Sequence, residues 1–434
     1  MNTTELRGKK GIKKIEHGNK RDRLSELPDE LLVHILSFLP TTDAVRTVLL
    51  RRFGNLWTLI PTLTFEHPND DKLVCNVLKH HKSPVIHTLE LCDVVGLSQA
   101  TLTKCAKLAS TKKTKDLFLF MEYGKLCVVP PHVFQSQHIV TLVLSNIKIG
   151  LKRPVFVGSL MRLELVDVRF CEGALEKVID GSPCLKDLLI VNPIGLQGVQ
   201  FTAPNIEMLM LSLHERHVMS FTLDCPNLRI LHVEKSYMSQ LQFINVSSVY
   251  YASINPYGIS HRGLGQLVHA FPKIEVLIVG YEAYAQLRQC GNSKLDLEDN
   301  KWVRLSLRPR VHGSCLRNII CKLLKASQCL QTLIIYANGD YFCDCNMLQR
   351  ELSSPCVLKK LKTITIHECE KPYKGLIQLI EFVLKSAVVL DELVIRCSSK
   401  DTLFSTEGLE FIKQISSFPR ASPNAVAINI MFST

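Results

Sequence analysis

Three phrases set the reading of this chain: CLKDLLI at Cys184–Ile190, PNIEMLML at Pro204–Leu211 and PNLRILHV at Pro226–Val233. Each places an apolar residue, two variable ones, and then L-x-L or its equivalent. In a strand, successive side chains point to opposite faces, so the last two apolar positions share one face. The phrase recurs as PKIEVLIV (Pro272–Val279), CLQTLII (Cys329–Ile335) and VLDELVI (Val389–Ile395). Looser versions lie at Thr88–Leu91, Thr141–Ile147, Met161–Val166 and Leu361–Ile366. The leading apolar positions Leu185, Ile206, Leu228 and Ile274 are 21, 22 and 46 residues apart, and a degraded copy, VYYASI from Val249, fills the double interval.

A period of about 20–29 residues carrying this phrase predicts leucine-rich repeats. Each repeat would put alternate leucines of a short strand into a shared core, with Pro-Asn or Cys-Leu turns before it. Stacked repeats make a curved solenoid whose concave face holds a partner rather than performing chemistry. The exposed strand positions expected to meet that partner are Lys186, Asp187, Glu207, Arg229, His232, Glu275 and Gln331.

Upstream lies LSELPDELLVHILSFLPTTDAVRTVLLRRFGNLW, Leu24–Trp57. Pro28 with Asp29 and Glu30 is a helix start, because proline has no N–H to waste and carboxylates favour the positive end of the helix dipole. Pro40 is expected to stop that helix. Thr41 or Thr42 would cap a second, opening on Asp43 and running to about Arg52. Two apolar stripes run along the first helix, Leu31/Ile35/Phe38 and Leu32/Leu36/Leu39, with His34 on the polar edge. A unit this small has little of its own to cover a second stripe. The surplus predicts either a docking face or packing onto the rest of the chain.

This segment strongly resembles the F-box of plant F-box proteins over about 40 residues, through Leu-Pro-Asp-Glu-Leu-Leu, His-Ile-Leu-Ser-Phe-Leu-Pro, Asp-Ala-Val-Arg-Thr and Asn-Leu-Trp. The resemblance implies that Leu27, Pro28, Leu31, Leu32, Ile35, Leu36, Leu39 and Trp57 lie at or behind a face gripping a Skp-type adaptor and, through it, a cullin. It departs from the family in one place: Thr47–Phe53 is a residue short, and Leu50 stands where serine is common. One missing residue rotates every downstream side chain by ~100° about a helix axis. A bulge, an early helix end or a remodelled adaptor contact is expected there. Near the other end, LIEFVLKSAVVLDELVI and Ser417-Phe-Pro-Arg-Ala-Ser422 resemble the FBD module of plant F-box/leucine-rich-repeat proteins. That block is expected to cap the solenoid.

The reading is therefore α/β: a basic disordered tail (1–21), a three-helix F-box (22–65), an irregular leucine-rich-repeat solenoid (80–355) and an FBD-like C-terminal repeat or cap (356–434). The resemblance implies a non-catalytic, cofactor-free receptor subunit of a ubiquitin ligase that binds an unidentified protein target. A binding scaffold with a degenerate F-box is the alternative.

Bulk properties agree. The 434 residues are 46% hydrophobic and 21% charged, enough for a large core. No run reaches the ~18 apolar residues of a membrane span, and the polar N-terminus holds no secretory signal. An intracellular protein of nucleus or cytoplasm is expected, its sixteen cysteines free. Of the net charge of +12, residues 1–23 carry +5, and the remainder is too dilute to argue for nucleic acid. His214-Glu215-Arg216-His217 lacks zinc-site spacing, Cys343-Asp344-Cys345 has no second pair, and Gly263-Leu264-Gly265 lacks a third glycine. No catalytic constellation emerges.

Overall fold

The computed structural model describes residues 24–432 apart from 25, 67–69, 95, 125, 197, 214–220, 238–240, 258–270, 281–301, 309–323, 325–326, 328, 338–357, 370–373, 399–404 and 424–426. The tail and the three segments 214–217, 263–265 and 343–345 lie outside the described residues.

The N-terminal unit has two α-helices and two 3-10 turns in place of the three helices expected. Helix α1 is Asp29–Leu36, and Pro28 sits one residue before it, with φ −57° but an extended ψ of 152°. The proline carbonyl accepts the N–H groups of Leu31 and Leu32, each at 3.1 Å. Helix α2 is Thr41–Arg46, entered in the same way from Pro40. Thr41 is thus the first helical residue rather than a cap, and its buried hydroxyl accepts the Thr64 N–H at 2.8 Å. This bond ties α2 to the first strand. The helix ends six residues earlier than expected and tightens into a 3-10 turn, Thr47–Leu49. Thr47 hydroxyl donates to the Ala44 carbonyl at 2.6 Å, a local bond that competes with the regular helical ladder.

From Thr62–Phe65 onwards, fifteen parallel strands form one continuous sheet, each paired to the next along the chain. The register follows the repeat phrase. Leu163, Leu188, Leu209, Leu231, Ala252 and Leu277 are successive partners, all buried. The copy at Val249 does fill the long interval, as the strand Tyr251–Tyr257. Four strands of the sheet lie outside the phrases quoted above: Thr62–Phe65, Asp116–Phe120, Arg304–Arg308 and Ala427–Phe432. The leading positions of the first three are Ile60, Thr114 and Trp302, all fully buried, and of these only Thr114 is not apolar.

What returns the chain between strands explains the uneven period. Where the step is long, a helix lies on the convex side, as Gln99–Thr111 does between Thr88–Cys92 and Asp116–Phe120. Where it is short, a second strand replaces the helix: Val199–Thr202, Phe221–Asp224 and Leu241–Ile244 stack as their own parallel sheet. An extended segment crosses the repeat in fewer residues than a helix. Immediately after several concave strands the backbone turns with positive φ, at Asp93, Asn146, Asp167 and Asn192. Asn and Asp tolerate this left-handed conformation better than other side chains. The Pro-Asn turns add a side-chain ladder, Asn205 donating to the Pro183 carbonyl at 2.6 Å and Asn227 to the Pro204 carbonyl at 2.8 Å.

One expected boundary moves. The sheet begins at Thr62, inside the segment assigned to the F-box, because the N-terminal unit packs directly on the first strand. Of the two forms expected for the C-terminal block, repeat or cap, the strands there take that of further repeats. Thr363–Cys369, Glu392–Cys397 and Ala427–Phe432 extend the same sheet, with helices Lys374–Ser386 and Thr406–Ser417 between them. Its Ser-Phe-Pro-Arg-Ala-Ser phrase folds back on the first of these helices, Ala421 N–H donating to the Leu384 carbonyl at 2.8 Å.

Candidate docking faces

Among the described residues, two surfaces lack a partner. The first is on the N-terminal unit. Leu32, Leu36 and Trp57 are buried and join the common core through Ala44, Phe53 and Leu56. The other stripe faces outward: Leu31 is 49% exposed, Ile35 39% and Phe38 75%. Leu39, expected on the buried stripe, is exposed as well, because the helix has already ended at Leu36. Pro28 is exposed and Leu27 is partly buried against the core. Of the eight residues expected at or behind a docking face, the structure thus puts Pro28, Leu31, Ile35 and Leu39 outside and Leu32, Leu36 and Trp57 behind.

Four residues absent from that set enlarge the face: Phe38, Val48, Leu49 and Leu50, all exposed, Leu49 at 88%. Nine of the eighteen exposed large apolar side chains among the described residues fall within residues 24–59, so the apolar exposure is concentrated there. Exposed patches of this kind mark interaction sites rather than chance. The early end of α2 is what frees Val48–Leu50, a consequence that helical spacing could not reveal. Rigidity comes from Arg52, whose guanidinium meets Asp29 at 2.5 Å and the Leu27 carbonyl at 3.0 Å. It holds the start of α1 against the loop after α2. His34 lies edge-on to Phe38 with ring centres 4.8 Å apart, so it borders the apolar stripe.

The second surface is the concave side of the sheet. Alternate strand residues leave the core there, as in Asp187, Leu189 and Val191, each half-buried, against buried Leu188 and Ile190. Of the seven partner-reading residues expected, only Asp187 and His232 are on strands of this face. Lys186, Glu207, Arg229, Glu275 and Gln331 come one residue before their strands, on a rim. The phrase misleads because the chain is still turning at that position. Their backbones form a continuous ladder, with Glu207 N–H donating to the Lys186 carbonyl and Arg229 N–H to the Glu207 carbonyl, both at 2.8 Å.

Rim side chains neutralise one another. Lys186 Nζ is 2.9 Å from Glu207 Oε1, and Arg229 is 4.0 Å from Glu207 Oε2. The Lys186 hydrogen bond, then its charge, holds the Glu207 carboxyl below its ordinary pKa. Together with Cys184, Asn205 and Asn227 these residues border an open groove of about 410 Å³. On the face itself His232 lies against Tyr251 at 5.3 Å, and burial lowers its pKa. Among the described residues no group of three His, Cys, Asp or Glu is arranged to hold a metal ion, and no helix is long and apolar enough to cross a membrane.

Comparison with known proteins matches both parts of the chain. Residues 24–59 match the F-box domain, and residues 102–268 match the family described as "FBD-associated F-box protein At5g56370, LRR repeats". The chain is similar along nearly its whole length to F-box/FBD/leucine-rich-repeat proteins. Full-length similarity supports this. "F-box/FBD/LRR-repeat protein At2g26030" of Arabidopsis thaliana is 24% identical, covering 94% of this chain and 99% of that protein. "F-box/FBD/LRR-repeat protein At5g56420" of the same plant is 26% identical, covering 93% and 97%. "F-box/FBD/LRR-repeat protein At4g00160" reaches 30% identity over 49% of this chain and 52% of that protein. The solved structure titled "Crystal structure of TLR13-ssRNA13 complex" aligns with 86% of this chain and 67% of that one, at 11% identity and a TM-score of 0.35, too loose a likeness to build on.

Proposed function

We propose that this F-box protein is a substrate-recognition subunit of a Skp–cullin–F-box ubiquitin ligase. The observation that carries the reading is the division of α1: Leu32 and Leu36 complete the core, while Leu31, Ile35 and Phe38 remain outside it. The fold is finished without the second stripe, so that stripe is available to a Skp-type adaptor and through it to a cullin. The concave face of the solenoid then holds the target protein. Its contribution to ubiquitin transfer is proximity, raising the effective concentration of target lysines near a charged enzyme bound elsewhere in the assembly. No side chain of this protein is required to do covalent chemistry. The complex would work in the nucleus or cytoplasm, where such ligases meet their targets.

A second reading has one observation in its favour. Helix α2 stops at Arg46, just before the place where this chain is a residue shorter than the family pattern. If that remodels the face beyond use, the protein is a scaffold that binds a target without marking it.

Co-expression with a Skp-type adaptor separates the two. A one-to-one complex by gel filtration is expected, and a folded chain that passes through without the adaptor would sink the ligase reading.

A further inference from the structure

The concave face is not uniform along its length. In its middle, the strands beginning at Met208, Ile230, Tyr251 and Val276 are register neighbours. Their first concave positions are these four residues, and the next are Met210, His232, Ser253 and Ile278. All eight are half-buried, and no lysine, arginine, aspartate or glutamate is among them. Burial lowers the His232 pKa, opposed by the charge of Glu234 two residues along the same strand. This is an apolar trough without a covering layer among the described residues.

Toward the F-box the sign of the face is negative. Glu90 projects from Thr88–Cys92, Glu66 and Asp93 follow the first two strands, and Asp116 opens the third. None of the four forms an ion pair with a described residue. Farther along the face Glu164 meets Arg162 at 2.8 Å and Glu392 accepts from Asn429 at 2.6 Å, while Asp187 stands alone, a single carboxylate rather than a cluster. Glu66 and Glu90 lie near enough to repel, so that burial first and the Glu66 charge second hold the Glu90 carboxyl above its ordinary pKa. Toward the other end the exposed Arg304 and Arg396 occupy concave strand positions, so the carboxylates gather most densely at the F-box end.

We propose that the concave face takes one extended segment of the target protein, with a Lys/Arg stretch over the repeats beside the F-box and an apolar stretch over the trough. This rests on the target-receptor reading above and supplies its substrate class. Charge complementarity selects the cationic end, since a lysine or arginine there relieves a repulsion that the fold leaves uncompensated. The length is consistent with one peptide. From Thr88–Cys92 to Val276–Gly280 there are eight inter-strand steps, or ~38 Å at about 4.8 Å each, which is about 12 extended residues.

The test is selection from a random 16-residue peptide library displayed on phage, against the full chain bound to a Skp-type adaptor. Peptides combining a Lys/Arg stretch with an apolar stretch are expected. A Glu66→Lys/Glu90→Lys/Asp116→Lys variant should weaken the best of them at least tenfold and enrich Asp/Glu in place of Lys/Arg, with the apolar stretch retained. Met210→Asp should remove the apolar preference and leave the basic one. Circular dichroism checks that these surface variants fold. Failure to enrich, enrichment of uncharged or acidic peptides by the native chain, or one consensus from native and charge-reversed chains would each overturn the proposal. Adaptor co-purification from the same preparations reports separately on the ligase reading. Peptide selection on a chain that ignores the adaptor would leave this inference standing and remove that one.

Discussion

Ile35→Asp tests the docking face most directly. Complete burial of an isoleucine side chain contributes about 1.5–3 kcal/mol. Ile35 is 39% exposed, so roughly three-fifths of that, about 1–2 kcal/mol, is already realised in the free protein. The substitution should therefore cost the isolated chain about 1–2 kcal/mol, well within what a domain with this much core withstands. The complex loses more. It forfeits the remaining ~1 kcal/mol of transfer and must seat an unpaired carboxylate in an apolar contact, at a further ~3–5 kcal/mol. At 1.4 kcal/mol per decade, adaptor affinity should fall by about a thousandfold or more. Leu32→Asp is the counterpart: at 0% exposure it places the charge in the core and should unfold the N-terminal unit outright. Calorimetric titration with purified adaptor measures the first effect, and thermal unfolding by circular dichroism the second. If Ile35→Asp unfolds the unit as Leu32→Asp does, the stripe is structural. If it binds adaptor with native affinity, the face is not the one used.

Other perturbations act through single contacts. Arg52→Met removes the clasp on Asp29 and the Leu27 carbonyl, both at a half-exposed site, and should cost about 1 kcal/mol, seen as faster amide exchange in α1 with the repeats unchanged. Gly181→Ala would place its Cβ 2.3 Å from the Val155 carbonyl oxygen, with rigid backbone on both sides. Overpacking of this kind costs about 1–3 kcal/mol or more, and a melting temperature equal to the native one would show that the loop gives way freely. His81 donates from Nε2 to the Ile60 carbonyl at 2.9 Å, while its Nδ1 is buried without a partner. Burial holds its pKa below the ordinary 6.5, so the folded chain binds that proton more weakly than the unfolded chain. Its contribution is fully present above pH 6.5 and is lost as pH falls below it. His81→Gln should flatten the decline in melting temperature between about pH 7 and 5, and an unchanged slope would count against the assignment.

The repeats were legible because their signal is local. Alternation within five residues, repeated at a near-constant step, identifies a core-facing strand wherever it occurs, and Leu188, Leu209 and Leu231 came out as register partners. The same holds for α1, where 3.6-residue spacing separates two stripes. Strands led by Ile60, Thr114 and Trp302 were harder to see, since the pattern tolerates any side chain that fills the leading pocket, a threonine included.

Sequence by itself determined that there are two stripes on α1, a solenoid behind it, and a family that the chain resembles. Only the tertiary structure decided which stripe stays outside, because Leu32 is buried where α1 packs on the turn Leu56–Leu59 rather than by anything within its own helix. It also moved Lys186, Glu207 and Arg229 from the face to the rim, and assembled an acidic end from Glu66, Glu90 and Asp116, residues a full repeat apart. Spacing along one element is written in the order of residues. What lies beside a side chain from the next repeat depends on register, and register exists only once the strands have paired.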